Sequence, residues 1–350
     1  MDATPEGRAG SQGGSILLTL AAFVVVCAGV SAASQIVIPV LAALFITTVA
    51  LPPIIALQRR GAPLWLAGTL VLVVVLVGLL ITGAIAAAAV ANFRAELPTY
   101  TIALEAKFSA VDAWLRSHGI ESSQVNLATL ANPTQIMGFL GTTLGALVGI
   151  IRDGAFVFLV TVFLIAEAAG MPAKLRAAFS IDQGAMGPWS RVLDDMTTYL
   201  VVKTCTSFIT AVLVATSLWF LGVPFPLALG LLAFLLNFVP VFGAVLAGIP
   251  AILLALILGT PTTAILAATI YTVINVVIGS VVEPKWMGQR LGLSTLVVFL
   301  SLVFWGFLLG PVGMLLAVPL TMLAKILLDH TNDLKWLSVL LGPTPRDPGP

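Results

Sequence analysis

The chain has 350 residues, of which 59% are hydrophobic and 9% charged, with a formal net charge of +1. Soluble domains carry about 25% charged residues, so this composition, with a mean hydropathy of +1.12, belongs to a polytopic membrane protein. Near-neutral charge without a Lys/Arg-rich tract excludes a general attraction for nucleic acid.

The predicted elements follow in chain order. Residues 1–14 are polar and Gly-rich and are expected to be disordered in the cytoplasm. Two apolar stretches, 15–33 and 35–57, come next. The charged leader that a cleaved signal would need is reduced to Arg8, so both are read as a hairpin of retained spans. The basic turn Gln58, Arg59, Arg60, Gly61 is assigned to the cytoplasm by the positive-inside rule. The third span, 63–91, is longer than the ~20 residues a bilayer needs, and should tilt or project beyond it. These spans form an N-terminal unit, 15–93.

Residues 94–136 form a polar, extracytoplasmic insertion. Leu97, Leu104, Phe108, Val111 and Leu115 recur at helical spacing, and Gly119 stands where a C-terminal cap is expected. The amphipathic helix this predicts either gates the outer face or packs its apolar stripe on protein or headgroups. The fourth span, 137–169, carries Gly141, Gly145 and Gly149 on one stripe, which favours close helix approach. Arg152 and Asp153 near its outer part either neutralise one another or mark an ion path. Residues 170–198 are polar, with a cytoplasmic or interfacial helix leading from Trp189 into a fifth span, 199–221, where Lys203 is expected to snorkel towards the interface.

The core is 199–330, followed by a cytoplasmic tail, 331–350. Within it FLLNFVPVFGAVLAGIP, 234–250, is interrupted by Pro240, Gly243 and Pro250 where a membrane helix should be continuous. FWGFLLGPVGMLLAVP, 304–319, places Pro311, Gly313 and Pro319 in a similar way, each proline one residue out of step when Gly313 is set on Gly243. Paired, Gly/Pro-interrupted apolar segments point to the binding site of a secondary transporter. If 227–258 and 295–328 were single crossings, Lys285 and Arg290 would fall outside; if each doubles back, they join the other basic residues inside. The charge bias therefore favours re-entrant hairpins. The expected fold is all-α, with about six to eight transmembrane helices.

Polar residues near the breaks are few. Asn237 either contacts a solute or caps the break. Asn275, with Tyr271 and Thr272, lies in the intervening span. Glu283-Pro284 stands at that span's end, with Lys285 and Arg290 as possible partners; proton or cation coupling and an interfacial salt bridge are both open. No phosphate-binding loop, zinc-protease motif or serine-nucleophile motif is present, and Cys27, Cys205, His118 and His330 show no metal-ligand spacing, so no catalytic residue, metal or cofactor is expected.

Residues 275–326, NVVIGSVVEPKWMGQRLGLSTLVVFLSLVFWGFLLGPVGMLLAVPLTMLAKI, closely resemble the C-terminal signature of the autoinducer-2 exporter family. NFVPVFGAVLAGIP and YLVVKT, 199–204, match its central motifs, while the outer insertion matches least. The resemblance implies a bacterial inner-membrane secondary transporter, a homo-oligomer with a pentamer as one form, that moves a small polar signal outward while its hairpins shift together. Other members look like sodium/proton antiporters. The site read from the breaks and this signature has Asn237 and Asn275 contacting solute and Gly243, Gly310 and Gly313 giving close backbone approach. Pro240, Pro250, Pro311 and Pro319 hold the breaks, and Glu283, Lys203 and Arg290 serve coupling to H+ or Na+. Three functions remain: small-solute exporter, cation/proton antiporter, and passive pore or scaffold. The partners expected are a small molecule, the lipid bilayer and further copies of the chain.

Overall fold

A computed structural model describes residues 9–118, 132–168, 186–240, 242–287, 293–329 and 340–341. Among them there are helices and no strands, and six helices are long and apolar enough to cross a membrane. The first two, α1 (Ala9–Ala32) and α2 (Ser34–Arg59), meet at Ala33, whose φ of −88° and ψ of 9° bend the chain. A single residue rather than a loop joins the two predicted spans, and the helical ladder runs across it, Ala33 N–H reaching Gly29 O at 2.9 Å and Val37 N–H reaching Ala33 O at 3.0 Å, so they meet at a bend and not in the predicted hairpin. The helix starts at Ala9, inside the stretch 1–14 expected to be disordered; once an apolar run nucleates a helix, adding a turn at its end costs little.

The largest departure is α3 (Leu64–Ser117), one helix of 54 residues containing both the third span and the amphipathic helix. At 1.5 Å per residue it is about 80 Å long, more than twice a hydrocarbon core. Nothing between 91 and 94 breaks it, and Pro98 is accommodated within it. The predicted stripe divides: Leu104 is buried and Leu97 and Phe108 pack on the main core, whereas Val111 is exposed. The predicted Gly119 cap lies outside the described residues, as do the rest of the insertion as far as 131, residues 169–185, Arg290 and most of the tail. Helix α4 (Pro133–Ala168) packs along α3, and Gly141 faces the Phe93 ring there. Helix α5 (Met186–Phe220) joins the interfacial segment to the fifth span without interruption.

Beyond α5 the chain turns at Gly222 (φ 69°) and Phe225 (φ 59°), the latter held between Pro224 and Pro226. Helices α6 (Pro226–Leu236) and α7 (Phe242–Leu258) then form the first broken segment. Laid end to end they would separate Phe225 from Gly259 by roughly 40 Å. Instead both ends lie beside α3: Phe225 packs its ring 6.3 Å from Phe93 and 6.4 Å from Tyr100, and Lys107 Nζ donates to Gly259 O at 2.7 Å. The segment doubles back. Gly243 closes the turn, because a Cβ there would overlap the Leu236 carbonyl. Gly230, set against the Ala211 carbonyl and Ala215, brings α6 onto α5.

Helix α8 (Pro261–Val277) starts with a reciprocal cap between Thr260 and Thr263 and runs through a π-helical turn, Ile278–Val282, into α9 (Glu283–Met287). The second broken segment is α10 (Thr295–Leu315), which bends at Gly310 (φ 64°, ψ −151°), and α11 (Ala317–Asp329). It also doubles back, since Trp305 Nε1 donates to Thr321 Oγ1 at 3.0 Å although 16 residues of straight helix would span about 24 Å. Gly313 lies against the Trp305 carbonyl and Gly306 against Met314, so neither has room for a side chain.

The two hairpins come from opposite ends of α5. The first has its base at the α3 arm near Phe93 to Lys107; the second packs Val298, Val318 and Met322 on Tyr199 and Leu200. Their turns meet: Val239 is buried with Leu302 and Ala317, and the Phe242 and Phe299 rings are 6.0 Å apart.

Gly243→Ala must push the Leu236 carbonyl aside and is expected to cost about 2 kcal/mol or more, the range of strain at a special backbone position. Gly145→Ala, where nothing lies within 4 Å of a new Cβ, should stay within about 0.5 kcal/mol of the parent. Unfolding of the two purified variants in detergent checks the difference.

Candidate functional site

A cavity of about 670 Å³ opens beside the first hairpin's turn. Its walls come from α5 (Tyr199, Lys203), the turn (Asn237, Val239, Pro240), the start of α7, and one face of α8 through α9. That last face presents Ala268, Tyr271, Thr272, Asn275, Gly279 and Glu283 at helical spacing. Val298 and Val318 of the second hairpin complete it. The lining is mostly apolar with a few polar groups concentrated on two helices, the usual character of a small-molecule site.

The charged end is an ion pair. Lys203 Nζ donates to Glu283 Oε1 at 2.6 Å, and Thr206 Oγ1 lies 3.0 Å from the same oxygen. Lys203 is only 7% exposed, so it does not snorkel. Its stem points between α5 and α9, and attraction to an otherwise unpaired carboxylate outweighs solvation at the interface. Lys285, offered by the sequence as Glu283's partner, is exposed. A buried pair of this kind adds little net stability, but losing one member leaves an uncompensated charge.

One residue further along α5, Ser207 Oγ accepts a hydrogen bond from Asn237 Nδ2 at 2.9 Å. Asn237 also ends α6, its N–H reaching Ala233 O at 2.9 Å, so it caps the break with its main chain and bridges to α5 with its side chain. Asn275 Nδ2 donates to Tyr271 O at 2.8 Å, one turn back on its own helix.

Of the predicted site residues, Asn237, Asn275, Pro240, Glu283 and Lys203 all line this cavity. Gly243, Gly310 and Gly313 sit in the turns rather than at its wall: Gly243 and Gly313 are pressed against backbone carbonyls, whereas Gly310 has open space around it and is set apart by its positive φ. Pro250 and Pro319 are buried in α7 and α11, and Pro311 is exposed next to Gly310. The sequence reading missed Thr206 and Ser207. Their signal is the spacing Lys203, Thr206, Ser207, Thr210, a polar stripe at i, i+3, i+4, i+7 down one face of an otherwise apolar helix. Thr206, Ser207 and Thr210 are all buried.

A family model described as AI-2E family transporter matches residues 17–333. The "Putative transport protein YhhT" of Escherichia coli K12 is 37% identical over 328 residues, covering 94% of each chain. The "AI-2 transport protein TqsA" of the same organism is 35% identical over 330 residues, 94% of this chain and 96% of its own. A Haemophilus influenzae protein, also named a putative transport protein, is 38% identical over 93% of this chain and 95% of its own.

Lys203→Met is expected to destabilise the protein by about 3 kcal/mol, because Glu283 is left charged without its partner. Adding Glu283→Gln should return most of that loss. A double-mutant cycle on thermal or denaturant unfolding, completed with Glu283→Gln alone, measures it, and single-variant effects that simply add in the double variant would show that the pair is not coupled.

Proposed function

The chain belongs to the AI-2E transporter family, and we propose that it exports a small polar, autoinducer-2-like signalling molecule across the bacterial inner membrane by alternating access. Its family is one of transporters, so it is a multi-pass membrane transport protein and not an enzyme. The observation that carries the finer reading is the cavity at the first hairpin's turn. It brings amide groups of Asn237 and Asn275 and an ion pair into one apolar pocket. A neutral, hydroxyl-bearing solute suits such walls: amides offer it donors and acceptors, while the charges at the end compensate each other.

Alternating access is supported by two hairpins that come from opposite ends of α5 and touch at their turns. A shift of that paired unit along α5 opens the cavity to either side, in the manner of transporters whose broken helices hold the midplane site. In this reading both termini and the Arg59-Arg60 turn are cytoplasmic and the α3 arm is outside. The protein assembles as a homo-oligomer, with a pentamer as one form, and its export serves quorum sensing.

One observation favours a second reading. The Lys203–Glu283 pair faces the cavity, which suits exchange of a cation for protons, alone or coupled to the solute.

Proteoliposomes loaded or challenged with labelled autoinducer-2 precursor, with imposed proton or sodium gradients, separate the two. Saturable, gradient-dependent flux that falls roughly tenfold in Asn237→Ala, about one hydrogen bond to a polar solute, supports export. Sodium-dependent proton movement without solute flux moves the assignment to antiport.

A further inference from the structure

The cavity beside the first hairpin has a side that protein does not close. Its polar end, with Tyr199, Lys203 and Glu283, lies between α5 and α9. The rest is a crevice between α7 and α8, walled by Ile249 and Ile252 on one helix and Ala268 and Val276 on the other. Val245 and Val276 line it and are nevertheless 63% and 55% exposed, and their chain neighbours Leu246 and Val277 are exposed as well. The crevice therefore runs without a border into the apolar surface that these helices turn to the bilayer. Water there finds few partners, whereas hydrocarbon fills it without losing a hydrogen bond.

Its length and its polar end suit one occupant. Ala268 and Ser280, both on the wall, are 12 residues apart and so about 18 Å along the span, slightly more than one leaflet of a ~30 Å hydrocarbon core. The polar end comes at headgroup level, since the exposed Lys285 and Trp286 that follow it are residues of the kind that mark a membrane–water boundary. Lys203 and Thr206 both bond to Oε1 of Glu283, so Oε2 keeps lone pairs for a further donor. Ser280, exposed and one turn before Glu283, offers a hydroxyl. Side chains three apart on a helix stand about 5–6 Å from one another, the reach of an ammonium joined to a phosphate by a two-carbon spacer. One positive and one negative side chain at this end match a zwitterion better than a net anion.

We propose that the crevice seats an ammonium-bearing zwitterionic phospholipid, its acyl chain between α7 and α8, its ammonium on Glu283 and its phosphate at Ser280. The chain supplies the wall that the protein lacks and separates a solute in the cavity from the bilayer. Native mass spectrometry of the purified full-length protein, titrated with phosphatidylethanolamine, phosphatidylcholine and phosphatidylglycerol of identical chains, tests the seat. Phosphatidylethanolamine is expected to bind tightest, because a choline headgroup has no N–H for the carboxylate and a glycerol headgroup leaves a net anion. Val276→Trp fills the crevice and should weaken that binding about tenfold, the weight of roughly two buried methylene groups. Val273→Trp, exposed on the same helix but off the cavity wall, should leave it unchanged. Ile249→Trp repeats the test from α7 if Val276→Trp folds poorly. Any other order of the three lipids overturns the headgroup seat. Equal effects of the Val276 and Val273 changes overturn the crevice, leaving only lipid bound anywhere on the surface. A change of oligomeric state on Val276→Trp also overturns it, by placing a second copy of the chain there.

Discussion

A helix that breaks inside an apolar layer frees N–H and C=O groups that lipid cannot satisfy. This constraint governs the core of the structure. Each hairpin turn is covered by the other, so that Val239 is buried with Leu302 and Ala317 and the backbone at Gly243 and Gly313 is pressed onto carbonyls of its own hairpin. The first turn is also held by Ser207 through Asn237 and by the Phe45 ring, 5.4 Å from Phe238.

Both hairpins also pack on α5. Its N-terminal half receives the base of the second hairpin at Tyr199 and Leu200, while Gly230 lets α6 lie directly on Ala211 and Ala215. The α3 arm adds a second anchor, through the Phe225 rings and the Lys107 bond to Gly259. A lysine on the carbonyl that ends α7 also suits the negative end of that helix. The long arm thus has a physical part in the fold: it fixes the base of a re-entrant segment whose two short helices are too short to cross a bilayer one at a time.

The sequence was most informative where backbone chemistry forces the outcome. Pro240, Gly243, Pro311 and Gly313 announce turns because proline cannot donate and only glycine tolerates the close approach, and charge sidedness then favours doubling back over crossing. It was least informative at α3, where hydropathy falls after residue 91 and suggests a boundary, although a change of solvent does not end a helix and no cap or breaker stops it before Ser117. The pairing of Lys203 with Glu283 was hidden by distance. The two are 80 residues apart, and sequence proximity pointed to Lys285 and Arg290. Only the stripe from Lys203 to Thr210 marked the face on which a partner had to lie, and a stripe names a face without naming what meets it.

That stripe has a further consequence. Thr206 reaches the Glu283 carboxylate and Ser207, the next residue, holds Asn237. Two walls of the cavity, the charged end of the α8–α9 span and the turn of the first hairpin, are therefore tied to consecutive residues of one helix. Consecutive side chains on a helix point about 100° apart, so these two bonds pull on neighbouring sides of the same half-turn. The charge at one end of the cavity and the amide at the other are thereby linked by the shortest covalent path a protein offers, a single peptide bond.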